Sequence, residues 1–267
     1  MSWEKPSHLC KICKSVAGVH GFAKVRGKYE ATFLRCDQCG FVFIANADWL
    51  PEAYAEPINV SDVGYVSRNL SCQARMQMFI ELCLNPPLKF LDYAAGYGLF
   101  VRLMRDIGYD FRWADKYCRN LFAQGFEEKL PLQGPFEAVT AFEVMEHMSD
   151  PMDEIEKILP MTECFVFSTL FLPTPTPAPH EWWYYGLDHG QHISFYTRRS
   201  LELIGKTFGY HLISDGNAFH VLTTRPITDN QFRRIGGRWW RRWIRRVRVR
   251  PSLTSADHEK MRRLCCQ

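Results

Sequence analysis

The apolar run KFLDYAAGYG, from Lys89 to Gly98, ends in an acid and breaks into small residues, and it limits the folds open to this chain more than any other stretch. Leu88 to Tyr93 suit a buried strand, and Leu99, Phe100, Leu103, Met104 and Ile107 recur at helical spacing before Gly108, a helix stop. The backbone between strand and helix must turn sharply and admit a ligand. Gly96 and Gly98 suit both demands, because without a Cβ they reach positive φ and leave amide groups uncovered. A dinucleotide loop would carry a third glycine for close helix packing, but Val101 stands at that place, so a nicotinamide or flavin dinucleotide is disfavoured.

The pattern resembles the first motif of class I S-adenosylmethionine-dependent methyltransferases, where an acid ends the first strand and a glycine-rich turn receives the amino-acid and adenosyl parts of the cofactor. Ala94 departs from it, standing where that family commonly has its first glycine. Phe111 to Asp115 reads as a second strand ending in an acid, and a carboxylate there can accept hydrogen bonds from both ribose hydroxyls. The resemblance implies an α/β fold with a doubly wound, seven-stranded Rossmann-like sheet, and a cofactor site at Asp92, Ala94, Gly96, Gly98, Asp115, Phe142 and Glu143.

Further support comes from FEAVTAFEVMEHMSDP, Phe136 to Pro151. Phe136 to Phe142 suit a strand, while Asp150 and Pro151 open the next helix as N-cap and first-turn proline. Glu143, Glu146 and His147 then fall in the loop at the carboxyl end of a strand, the rim where open α/β sheets bind ligands. The phrase resembles the Glu-Val-Leu-Glu-His motif of the same methyltransferases, with Met145 for leucine, and its carboxylates can face the sulfonium or hold an acceptor hydroxyl.

Ahead of this core, Cys10 and Cys13 form one C-x2-C pair and Cys36 and Cys39 another, spaced as in a zinc ribbon over residues 1–46. Four thiolates close the coordination sphere, so the zinc is structural, and in so small a segment it replaces a hydrophobic core. The remaining cysteines fit reduced thiols and a cytoplasmic protein better than a disulfide scaffold. The first residues hold no apolar signal core, and no stretch reaches the ~20 apolar residues of a membrane span. A connector and helix fill 47–87, where Tyr65, Arg68 and Asn69 are expected to touch substrate, and the methyltransferase core spans 88–225.

After a strand from Glu163 to Thr169, prolines at 173, 175, 177 and 179 stiffen a long excursion that leads into Trp182, Trp183, Tyr184 and Tyr185. Flat aromatic faces stack on sugars or bases, so these rings are expected to form an acceptor lid. The following segment, Gln191 to Tyr196, resembles a Glu-His-x-Ser element of zinc-ribbon sugar C-methyltransferases whose histidine is placed to deprotonate the acceptor. The resemblance makes His192, with Glu143 and His147, the catalytic candidate, while Gln191 in place of the acid leaves hydrogen bonding to substrate and weakens charge support for an imidazolium.

The tail, 226–267, carries the positive charge. Residues 233–250 hold nine arginines and no acid, so the rest of this chain of net charge +4 is acidic. Trp240, Trp243, Ile244 and Val247 share one helical face, a pattern suited to peripheral contact with an anionic inner membrane surface and less to nucleic acid. The expected activity is methyl transfer to a sugar or glycan, either a nucleotide sugar, a polysaccharide or a lipid-linked glycan. Its rivals are an RNA methyltransferase with a zinc module, and a non-catalytic scaffold that binds cofactor or glycan.

Overall fold

The computed structural model describes residues 8–55, 58–59, 62–84, 89–129, 131–228, 232, 235 and 250–265. In chain order the strands are β1 (His8–Leu9), β2 (Val16–Val25), β3 (Tyr29–Cys36), β4 (Val42–Ile44), β5 (Lys89–Tyr93), β6 (Asp110–Ala114), β7 (Ala138–Ala141), β8 (Cys164–Ser168), β9 (Ser194–Phe195), β10 (His211–Ser214) and β11 (Phe219–Thr223). The helices are α1 (Leu50–Ala53), α2 (Tyr65–Cys83), α3 (Leu99–Asp106), α4 (Pro151–Ile158), α5 (Arg198–Thr207) and α6 (Thr254–Cys265). One sheet has the order β1-β2-β3-β4-β9 and the other β10-β11-β8-β7-β5-β6. The second sheet is mixed, since β5 runs parallel to β6 and β7 while β10 and β11 are antiparallel. Among the described residues it has six strands, one fewer than the seven expected.

The chain divides into two compact units, one of residues 1–59, 143–157 and 167–223, the other of 60–142, 158–166 and 224–267. In the second unit Phe90, Leu91 and Phe111 are fully buried, because parallel strands covered on both faces need apolar side chains throughout. Phe90 stacks on Phe111 at 4.8 Å, and Phe100 of α3 meets Phe111 and Phe142 edge-on at 5.3 and 4.9 Å. Here α6 docks through an ion pair, with Arg105 donating from Nε and Nη2 to the two carboxylate oxygens of Asp257 at 2.8 and 2.7 Å. Part of the expected surface tail is therefore a packed helix. The tryptophans and arginines of the expected amphipathic helix, up to residue 249, lie outside the described residues, and Arg250 at its end pairs with Glu81 at 2.8 Å.

In the first unit the sheet that carries the four cysteines has an apolar core. Phe33, Val42, Ile44 and Trp49 share a core with Leu172, Tyr184, Tyr185, Ile193 and Phe195. The strand β9 completes the N-terminal sheet, Val42 pairing with Phe195 and Phe43 with Ser194. The expectation that zinc stands in for a core is thus corrected: residues from well beyond position 46 supply one. No helix among the described residues is long and apolar enough to cross a membrane.

Candidate functional site

The turn after β5 is built as its glycines require. Gly96 and Gly98 have φ of +54° and +84°, and Ala94 has φ of +53°, so the place where the resembled family has glycine does demand a left-handed residue. At Gly98 a Cβ would come within 2.8 Å of Asn120 Oδ1, whereas at Gly96 the nearest atom would be the Tyr65 hydroxyl at 3.8 Å. Space matters at Gly98 and backbone angle at Gly96. The expectation of uncovered amides fails for these two: Gly96 N donates to Asp115 Oδ2 at 2.9 Å and Gly98 N to the Ala95 carbonyl at 3.0 Å. A turn this tight consumes its own donors.

Asp115 also accepts the amides of Tyr117 and Cys118 on Oδ1, both at 2.7 Å. A carboxylate oxygen accepts about two hydrogen bonds, so these two amides fill Oδ1 while Oδ2 holds Gly96 N. Asp92 is 4% exposed and accepts a 2.6 Å bond from Thr140 Oγ1. Burial pushes its carboxyl up to about 7, the Thr140 bond opposing and the Asp115 charge adding to the rise. Tyr65, at the start of α2, is raised to about 12 by burial and by the charge of Asp92. Arg68 is paired with Asp62 through bonds of 2.8 and 2.6 Å, and the Asn69 amide donates to the Tyr65 carbonyl within α2. Of these three expected substrate contacts, Tyr65 has its hydroxyl beside Gly96 in the glycine turn.

In the first unit the four cysteines cluster as their spacing predicts. Cys10 and Cys39 Sγ are 3.6 Å apart, and Cys13 and Cys36 Sγ 3.4 Å. Tetrahedral zinc with bonds of about 2.3 Å separates its sulfurs by about 3.8 Å, so the set fits that ion with a small expansion.

The rim residues of this unit also come together. Glu143 has φ of +56°, a strained backbone held by Ser168, whose Oγ accepts from Glu143 N at 2.7 Å and donates to Glu143 Oε1 at 2.6 Å. Met145 to His147 form a single 3-10 turn, strapped to the segment before α5 by three bonds. Ile193 N donates to the Glu146 carbonyl at 2.8 Å, Ser194 Oγ to the Met148 carbonyl at 2.6 Å and the Tyr196 hydroxyl to the Met145 carbonyl at 2.8 Å. These straps bring His147 and His192 edge to face, 4.9 Å between ring centres. Burial, then the neighbouring His192 and His189, holds the His147 ring well below the usual histidine range, hence neutral. Glu146 is fully buried with no hydrogen-bond partner on either carboxylate oxygen, and burial followed by the Glu143 charge pushes it up to about 8.

The aromatic lid is largely corrected. Tyr184 and Tyr185 are 2% and 1% exposed, Trp182 packs on the same core, and only Trp183, 77% exposed, presents a free face. Tyr185 meets Phe33 and Phe195 edge-on, a plug rather than a cover. Gln191 is buried, its amide donating to the Ala53 carbonyl at 2.8 Å. That bond explains why glutamine replaces the acid, since a carboxylate has no hydrogen to give. Pattern reading weighted Glu146 too lightly and missed Thr140 and Ser168; only the spacing of Glu143 and Glu146 ahead of a histidine signalled any of them.

A family model described as a methyltransferase domain matches residues 67–215. No curated protein matches the chain. Among solved structures, magnesium protoporphyrin IX methyltransferase from Synechocystis PCC 6803 with bound SAH is similar at 12% identity and TM-score 0.43, over 67% of this chain and 96% of that one. A Haloferax volcanii complex of the Trm112 methyltransferase activator with a methyltransferase gives 13% and 0.44, over 66% of this chain and 96% of that one. The plantazolicin methyltransferase BpumL in complex with SAH gives 10% and 0.44, over 59% and 84%. The family match runs from within α2 to the end of β10 and takes in both the glycine turn and the Glu143 to His147 rim; the chain therefore belongs to the methyltransferase-domain family and is a class I S-adenosylmethionine-dependent methyltransferase.

Proposed function

We propose that the chain methylates a sugar or glycan, with the acceptor hydroxyl received at the rim of Glu143, His147 and His192. The observation that carries this reading is the strapped, half-buried cluster itself. Methyl transfer needs the nucleophile held in line more than it needs a strong base, and two imidazoles anchored through Nδ1, His192 on the Tyr184 carbonyl and His147 on the Tyr54 hydroxyl and the Gln191 carbonyl, offer positioned rings for an acceptor proton. Trp183 is the ring left to stack on a sugar face.

S-adenosylmethionine, when bound, supplies an electrophilic methyl group on a cationic sulfonium. Ala94, Gly96 and Gly98 shape the turn that would hold it, Asp115 fixes that turn and would offer its carboxylate to the ribose, and Phe142 packs against Phe100 at the foot of α3. Asp92, held near neutrality by burial, gains charge when a cation approaches. Cys10, Cys13, Cys36 and Cys39 hold a structural zinc, supported by the sulfur spacings.

The test is methyl transfer from radiolabelled S-adenosylmethionine to nucleotide sugars, lipid-linked glycans and RNA. Label is expected on a sugar-containing acceptor, with turnover reduced about 100-fold or more in His192→Gln. Label on RNA alone overturns the acceptor class, and undiminished turnover in the variant overturns the role of the rim.

A further inference from the structure

Glu146, His147 and His192 each offer one ligand atom, and all three atoms lie within 4.8 Å of one another. From this juxtaposition we propose that the three side chains form a second metal site, distinct from the four cysteines, which binds one divalent transition-metal ion of the zinc class through two imidazoles and a carboxylate.

Three independent features point to an ion there. Glu146 is fully buried, and both its oxygens lack a hydrogen-bond partner. Buried carboxylates are otherwise paired, hydrogen-bonded or bound to metal. His192, moreover, has its Nδ1 2.7 Å from the Tyr184 carbonyl, which only accepts, so Nδ1 carries the hydrogen and in the neutral ring Nε2 carries the lone pair. His147 Nδ1 lies between the Tyr54 hydroxyl at 2.8 Å and the Gln191 carbonyl at 3.1 Å, and donation to that carbonyl leaves Nε2 as the ligand atom. This outer arrangement is the one that orients metal-binding histidines. Finally, the straps from Ile193, Ser194 and Tyr196 to the Met145 to Met148 turn hold the ligands' backbones together without help from an ion.

The donor set selects the metal. Two nitrogens and one oxygen suit zinc or a neighbouring first-row ion, and calcium and magnesium prefer oxygen throughout. Bonds of about 2.0–2.2 Å require the donors to close to about 3.3 Å, a side-chain adjustment of about an ångström from the bound above. Unlike the closed thiolate set, three protein ligands leave a position for water or an acceptor oxygen. An ion in this place takes over from the histidines the task of lowering the acceptor's pKa; that role rests on the function proposed above, but binding of the ion does not.

Cobalt titration of the full-length, metal-stripped protein separates the two sites. The four thiolates give an intense sulfur-to-cobalt charge-transfer band, and a second equivalent bound by nitrogen and oxygen adds weak visible bands without it. Two equivalents per chain are expected in the native protein, with the second weakened at least tenfold in Glu146→Gln and in His192→Ala while the thiolate band persists as proof of folding. Saturation of the native protein at one equivalent overturns the proposal, as does a second equivalent that survives both substitutions. A variant that loses the thiolate band has unfolded, and the native stoichiometry then decides.

Discussion

Two residues at or just before the glycine turn carry cost for their place. Ala94 sits at φ of +53°, where an L side chain crowds its own carbonyl. That strain amounts to about 1–2 kcal/mol, and glycine's larger freedom in the unfolded chain returns about half of it. Ala94→Gly is expected to stabilise the chain by about 0.5–1 kcal/mol, measured by urea unfolding. Asp92 carries its cost in ionisation. Its folded pKa of about 7 lies above the unfolded carboxyl value, so between the two the folded state binds the extra proton. Stability contributed by protonated Asp92 is complete at low pH and is lost as pH rises through about 7, up to about 4 kcal/mol. Cofactor-free protein should therefore melt at progressively lower temperature from pH 5 to pH 8, and Asp92→Asn should flatten that decline. Equal slopes in the two proteins would remove Asp92 from the explanation.

Among the elements, α6 is anchored by an ion pair. Asp257, 6% exposed, takes both forks of Arg105 and a further bond from Arg102 at 2.9 Å. Neutralising Asp257 leaves Arg105 with only Asp110 and the Phe111 carbonyl, a loss of about 1–3 kcal/mol. Asp257→Asn is expected to release α6, seen as faster hydrogen exchange across residues 254–265. The cap of α4 was legible beforehand, Asp150 accepting from Asp153 N at 3.2 Å, and α5 opens by the same device, Thr197 accepting from Ser200 N at 3.0 Å. Such caps act within one turn, so local sequence suffices to find them. The fate of Tyr184 and Tyr185 was not legible, because four adjacent aromatics suit a lid and a plug equally until Phe33 and Phe195 are placed against them.

At the scale of the whole molecule, each compact unit carries one kind of chemistry, the glycine turn in one and the thiolate and histidine clusters in the other. The Cys10 to Lys14 and Cys36 to Gly40 turns carry the clustered cysteines, while the core of Phe33, Trp49 and Tyr185 lies under the same sheet. If the cysteines hold the proposed zinc, chelating it is expected to weaken the sheet without abolishing it. Hydrogen exchange in β2 and β3 should speed up severalfold while residual protection persists. Complete loss of protection would mean that metal alone sustains the sheet.

By itself the sequence determined the strand, turn and helix around Asp92, the paired thiolates and the rim motif ending at His147, because each depends on residues within a few positions or on a spacing intrinsic to its chemistry. Tertiary structure alone decided that Ser194 and Phe195 complete the N-terminal sheet, that the Gln191 amide serves Ala53, and that Glu146 lies buried beside two histidines without a partner. Those outcomes depend on which segments distant in the chain meet. Local periodicity carries no record of such meetings, since burial and pairing belong to both partners at once.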